Sequence, residues 1–99
     1  MYVKIVIEPN PAKEVRNRRL HGISFAQAQE VFGDPNQVVS ENYLVDGEQR
    51  YQIIGMTKGF VLLLVVYVDH SSPEWEITRI ISARKAEAFE VSLYEDQIN

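Results

Sequence analysis

The sequence predicts an α+β fold: a small antiparallel β-sheet meander with two N-terminal helices and a C-terminal helix packed on it. Three observations point to it. Arg50 to Thr57 and Phe60 to Asp69 are long β-prone arms joined by a Lys58-Gly59 turn, which reads as a hairpin. Ser24-Phe25-Ala26-Gln27 is a capping-box pattern that opens a helix with Phe25, Ala28 and Phe32 at helical spacing. Lys85 to Asp96 reads as a further helix, with Ala86, Phe89 and Leu93 expected to face the sheet.

In chain order, residues 2–8 read as a strand, because Val3, Ile5 and Ile7 alternate with Tyr2, Lys4 and Val6. Pro9 and Pro11 end it. Asn10 is then an N-cap with Pro11 at the first helical position, and the helix runs to Leu20 or His21, where Gly22 closes it in the left-handed conformation. The Ser24 helix stops at Gly33-Asp34-Pro35. Residues 36–48 are polar and acidic and read as a loop with a short strand near Gln37-Val38-Val39. In the hairpin that follows, the second arm is apolar from Phe60 to Val68, which suits a central strand covered on both faces. His70-Ser71-Ser72-Pro73 loops to a last strand, Trp75 to Ser82. The helices are expected on one face of the sheet.

A chain of 99 residues makes one domain, residues 1–99. With 45% apolar and 24% charged side chains it has the composition of a globular protein. It has no cysteine and two histidines, so a thiolate zinc site is excluded, and no metal or other cofactor is expected. The N-terminus lacks the pattern of a signal peptide, and the longest apolar run, nine residues, falls short of a membrane helix, so a cytoplasmic protein without membrane contact is expected. The net charge of −4 argues against a surface that coats nucleic acid generally. The signs are nevertheless segregated: Lys13, Arg16, Arg18 and Arg19 against Glu14 leave +3, and Arg79, Arg84 and Lys85 add another +3 without an acid among them.

The second basic group, within Glu76 to Ala86, sets three cations and the Ser82 hydroxyl where the last strand hands over to the last helix. Guanidinium groups match phosphate oxygens with paired donors, and a helix N-terminus adds backbone N–H groups, so the group can clamp a phosphate. The alternative is an Arg79 that reaches past the sheet edge or pairs with Glu48. His21 either complements the dipole at the end of its helix or serves as a general acid or base. Glu48 and Arg50 point to the same side of a strand, as a surface ion pair or as groups that orient an arginine and accept a ribose proton. Tyr94 either edges the core or stacks a base. No glycine-rich phosphate loop and no Ser/His/Asp order are present.

Pro11-Ala12-Lys13 with Asn17, His21-Gly22-Ile23-Ser24-Phe25, Asp34-Pro35, Gly47-Glu48-Gln49-Arg50, Ile54-Gly55-Met56, the run Arg79 to Ala86, and Glu90 with Tyr94-Glu95 together resemble the BrnT family of bacterial ribonuclease toxins. The resemblance implies a compact RelE-like α+β fold and cleavage of RNA. It also implies a BrnA-like ribbon-helix-helix antitoxin as partner, with DNA contacted only through it. On that reading Arg79, Arg84 and Lys85 hold the scissile phosphate, and Glu48 or His21 moves the proton. Arg50, Ser82, Tyr94 and Arg19 position the RNA. The chain carries Pro9-Asn10 where the family usually has Trp-Asp, Leu20 in place of a Lys, and Val91 in place of a basic residue. Lost cations weaken RNA capture, so the alternative function is a catalytically silent module that keeps the antitoxin interface.

Overall fold

The structure is a computed structural model that describes residues 4–8 and 10–98, with the backbone alone described at 4–8, 42, 43 and 98. Its elements in order are β1 (Lys4–Glu8), α1 (Pro11–His21), α2 (Phe25–Glu30) with a following 3₁₀ turn (Val31–Gly33), β2 (Val38–Val45), β3 (Glu48–Met56), β4 (Leu62–Asp69), β5 (Trp75–Lys85) and α3 (Ala88–Ile98). Five strands form one sheet in the order β1-β5-β4-β3-β2, antiparallel except that β1 runs parallel to β5. The apolar β4 is central, as its sequence predicts. The part of the first strand expected at Tyr2, Val3 and the Pro9 stop lies outside the described residues.

Both N-terminal helices begin as the sequence requires. Asn10 Oδ1 accepts the N–H of Lys13 at 3.3 Å, and Gly22 closes α1 at φ 70° while its N–H donates to the Arg18 carbonyl. Ser24 and Gln27 form the full capping box. Phe25, Ala28 and Val31 are buried with Ile23 against Ile53, Leu63, Val65, Ile80 and Ala83, which fills one face of the sheet. Gly55 on β3 permits this approach, since a Cβ there would stand 2.8 Å from that of Val31.

Two expectations change. Residues 38–45 form a full edge strand rather than a loop with a short strand, because Asp46 (φ 51°) and Gly47 (φ 79°) make a two-residue hairpin turn to β3. The helices also occupy both faces. Tyr94 of α3 packs with Ile54 and Leu64, which alternate with the buried residues of the first face and point the other way.

The register of α3 is the larger surprise. Glu90 and Tyr94, not Phe89 and Leu93, turn toward the sheet, and Phe89 and Leu93 are 64% and 50% exposed. The reason is polar. Arg84 and Asp34 stand on the sheet side and bind the carboxylate and the phenol, and these bonds set the rotation of the helix.

Candidate functional site

Among the described residues β1 accompanies β5 from Trp75 to Arg79, and residues 80–85 have no neighbouring strand on that side. α1 takes the place of one. The buried Asn17, 3% exposed, accepts the Ala83 N–H at 2.9 Å and donates to the Ala83 carbonyl at 2.8 Å and the Ile23 carbonyl at 2.9 Å. One side chain thus satisfies the backbone of an open strand edge. A bulge leaves Ile81 without a partner on β4, since Ser82 pairs with Val66 and Ile80 with Tyr67.

Beside this contact lies a cleft of about 250 Å³. Lys13, Arg16 and Leu20 line it from one side of α1 with His21, and Ile81 and Ser82 line it from β5. Helical spacing brings the first four together, since positions three, four and seven apart share a face. The structure therefore joins His21 and Ser82, which are 61 positions apart (82 − 21), and adds Lys13 and Arg16 to them. Two cations, an exposed imidazole and a hydroxyl can hold a phosphate and exchange a proton with it. Arg19 is exposed on α1 outside the residues that line the cleft.

A second group occupies the sheet face that α3 shares. Arg50 pairs in register with Val68 and Val68 with Arg79, so the two arginines stand on one row, two strands or about 10 Å apart. Glu48 Oε1 lies 3.8 Å from Arg50 Nε, and Glu48 Oε2 lies 3.3 Å from His70 Nε2. His70 carried no role in the sequence reading. Arg79 is three residues from Ser82 on β5, which puts this row and the cleft about 10 Å apart along the strand.

Arg84 and Lys85 are placed differently from expectation, and Tyr94 takes the first of its two readings, against the core. β5 continues to Lys85, so Arg84 and Lys85 lie on the strand rather than at a helix start, and Ser82, paired within the sheet, caps nothing. α3 is capped instead by Glu87, whose carbonyl accepts the Val91 N–H, and by Glu90, whose Oε1 accepts the Glu87 N–H at 2.8 Å. Arg84 grips Glu90 in bidentate fashion, with Nη1–Oε1 2.8 Å and Nη2–Oε2 2.9 Å, and also meets Glu87 at 3.3 Å. The hydrogen bonds to Glu90 raise the guanidinium pKa against the opposing effect of burial. Burial pushes Glu90 up, but the Arg84 bonds and the Glu87 N–H outweigh it and leave its carboxyl below the usual range. Lys85 is exposed.

Tyr94 is only 5% exposed and donates its O–H to Asp34 Oδ2 at 2.6 Å. Burial and that carboxylate push the phenol up to about 12. Its ring offers no open face to a base in this conformation. Asp34 also accepts the N–H groups of Met56 at 2.7 Å and Asn36 at 2.9 Å. Burial raises its carboxyl pKa, and the three donors more than reverse that effect.

Sequence reasoning gave Asn17 and Glu90 no physical role, and Asp34 only a part in the stop of α2. A signal existed for Asn17, since asparagine in a helix interior is unfavourable unless its amide is used. For Glu90 and Tyr94 the i,i+4 spacing was visible, but the partners that draw them inward lie on other elements.

The arrangement is that of a small α+β domain with cations gathered where a helix closes the edge of a sheet, and its fold is that of a solved ribonuclease toxin. The 1.1 Å crystal structure of the Brucella abortus ribonuclease toxin BrnT superposes with a TM-score of 0.57 at 22% identity, covering 87% of this chain and 99% of that one. The chain belongs to the BrnT family of ribonuclease toxins of type II toxin–antitoxin systems, whose family model matches residues 10–90. No curated protein matches it by sequence.

Proposed function

We propose that the chain is a metal-independent endoribonuclease held in check by a ribbon-helix-helix antitoxin of the BrnA type. The observation that carries the reading is the cleft, where Lys13, Arg16 and His21 of α1 stand against Ser82 of β5, about 10 Å along the strand from the Arg50–Arg79 row. RNA can be cleaved by its own 2′-OH, which attacks the adjacent phosphorus and expels the 5′-oxygen. The reaction needs a group that takes the first proton, a group that gives the second, and positive charge for the crowded phosphate. The proton transfer and the charge come from His21 with Lys13 and Arg16 beside it in the cleft, or from Glu48 with Arg79 on the row. Arg50, Ser82, Arg19 and Lys85 guide the strand. Arg84 and Tyr94 serve the site indirectly, by holding α3 to the sheet. The protein acts in the cytoplasm as one domain, and it meets DNA only through the antitoxin. Among the described residues no helix is long and apolar enough to cross a membrane.

The test is cleavage of a labelled RNA by the purified chain in excess EDTA. Cleavage that persists, and falls at least 100-fold in Lys13→Ala/Arg16→Ala and in His21→Ala with unchanged melting temperature, supports the reading. Activity that vanishes with EDTA and returns with magnesium or manganese removes the mechanism.

A second reading is favoured by one observation, the engagement of Arg84 by Glu90. It makes the chain a catalytically silent partner of the antitoxin. A stable complex with no RNA cleavage under any metal condition would select it.

A further inference from the structure

α3 is built with its polarity inverted. It turns a carboxylate and a phenol, Glu90 and Tyr94, toward the sheet, and shows Phe89 and Leu93 to solvent. Phe89, Leu93 and Asp96 fall at i, i+4 and i+7, on one flank of the helix. The segment AFEVSLYEDQI contains no Lys or Arg, so this stripe is apolar with an acidic end.

A third exposed apolar side chain stands at the end of the sheet where α3 begins. Phe60, 86% exposed, sits at the tip of the β3–β4 hairpin with φ 63°, the left-handed region in which a bulky side chain is strained. Thr57 accepts the Phe60 N–H and Thr57 N–H donates to Val61, so Phe60 holds the position that such hairpins usually give to glycine. The Leu62 carbonyl, two residues on, accepts the N–H of Ala86, three residues before Phe89.

We infer that the outer flank of α3, with Phe60 beside its start, is the anchoring surface for the antitoxin, and that the antitoxin engages it with a basic amphipathic segment. The inference rests on the family's toxin–antitoxin assignment and is independent of the RNA-cleavage reading. The charge selects the occupant. Lys58 beside Phe60 and Lys85 before α3 make the near end of the surface basic, whereas Asp96 and Glu95, exposed on α3, make its far end acidic and repel phosphate there. An apolar segment whose Lys or Arg fall at the far end therefore satisfies both the stripe and its acidic end. The basic cleft at α1 has the opposite complement, so RNA and the anchoring segment do not compete for one patch. Helix-in-groove recognition uses the same i, i+4, i+7 spacing.

The test measures binding of the purified cognate antitoxin to the intact chain, alongside thermal melts and RNA cleavage by the free chain. Phe89→Ser/Leu93→Ser is expected to weaken the complex at least 100-fold, with the melting temperature held and free-chain RNA cleavage unchanged. Phe60→Gly is expected to weaken it about tenfold while melting at or above the wild-type temperature, because glycine relieves the strained φ. Asp96→Lys is expected to slow association severalfold and flatten its salt dependence. Affinity within threefold of wild type in the double variant overturns the inference, whatever the RNA assays show. So does loss of RNA cleavage with the complex intact, which would make the flank an RNA contact. A concentration-dependent dimer of the free chain, abolished by the double variant, would give the flank to a second copy and also overturn it. A chain that cleaves no RNA leaves the binding arms fully decisive.

Discussion

Arg84 shows how a residue with every mark of a phosphate ligand can be committed elsewhere. Its guanidinium is one-third exposed, but the carboxylate it grips is 4% exposed, so removing the arginine strands a buried charge. Breaking such a pair costs more than the pair contributes over an apolar replacement. Arg84→Ala is therefore expected to destabilise the fold by about 2–3 kcal/mol, discounted for the exposure of the arginine, and to lower the melting temperature by roughly 10–20 °C. Arg84→Gln/Glu90→Gln should recover part of the loss, because no charge is then left unpaired. Equal melting of Arg84→Ala and wild type would contradict the latch. The consequence for function is practical: a loss of activity in Arg84→Ala says nothing about phosphate binding unless stability is measured on the same sample.

Among the elements, α3 is the one whose attachment depends on ionisation. Glu90 and Asp34 have folded pKa values below their ordinary 4.5 and 3.8, so the stability they lend is fully present above those values and is lost as pH falls through the folded ones. Tyr94 has the opposite sign. Its pKa rises from 10.0 to about 12, so its contribution is fully present below pH 10 and is lost as pH climbs toward about 12. Hydrogen exchange of the α3 amides should accordingly lose protection, beyond the intrinsic rate change, at both extremes before the β3–β4–β5 amides do. In an ultraviolet titration, the difference between wild type and Tyr94→Phe should show one phenol ionising near pH 12. A difference step near pH 10 would mean that the Asp34 contact does not hold in solution.

At the scale of the whole molecule, the charge is divided between two helices set at different places on the sheet: α1, along the edge of β5, is basic, and α3, on one face, is acidic. A protein of net charge −4 can then bind RNA through one local patch, with affinity set by a few phosphate contacts. Lys13, Arg16, Arg50 and Arg79 make four such contacts in the proposed track. For single-stranded RNA this gives a slope of log K against log salt of about −3. Lys13→Ala/Arg16→Ala should reduce the slope by about 1.4. A slope near zero in the wild type would mean that the cations do not meet phosphate, and a slope of −6 or steeper would place many more charges on the track.

What the sequence determined by itself was local. Asn10, Pro11 and Gly22 bound α1, Ser24 and Gln27 start α2, and the apolar arm around Leu63 to Val68 is the central strand, because caps and burial patterns act between residues close in the chain. The loop expected at 36–48 had its own local signal in Asp46-Gly47, outweighed by the polar residues around it. The family was also legible, through motifs whose residues mostly turn out to hold the fold: Asn17, Asp34, Glu90 and Tyr94. Tertiary structure alone decided the rest. Which face of α3 turns inward depended on Arg84 and Asp34, on other elements, since a charge-assisted bond made out of water outweighs the pull of an apolar face on a short helix. The cleft, likewise, exists because the edge of β5 beyond Arg79 is met by Asn17 and the basic side of α1, a meeting of segments 66 positions apart that no local pattern records.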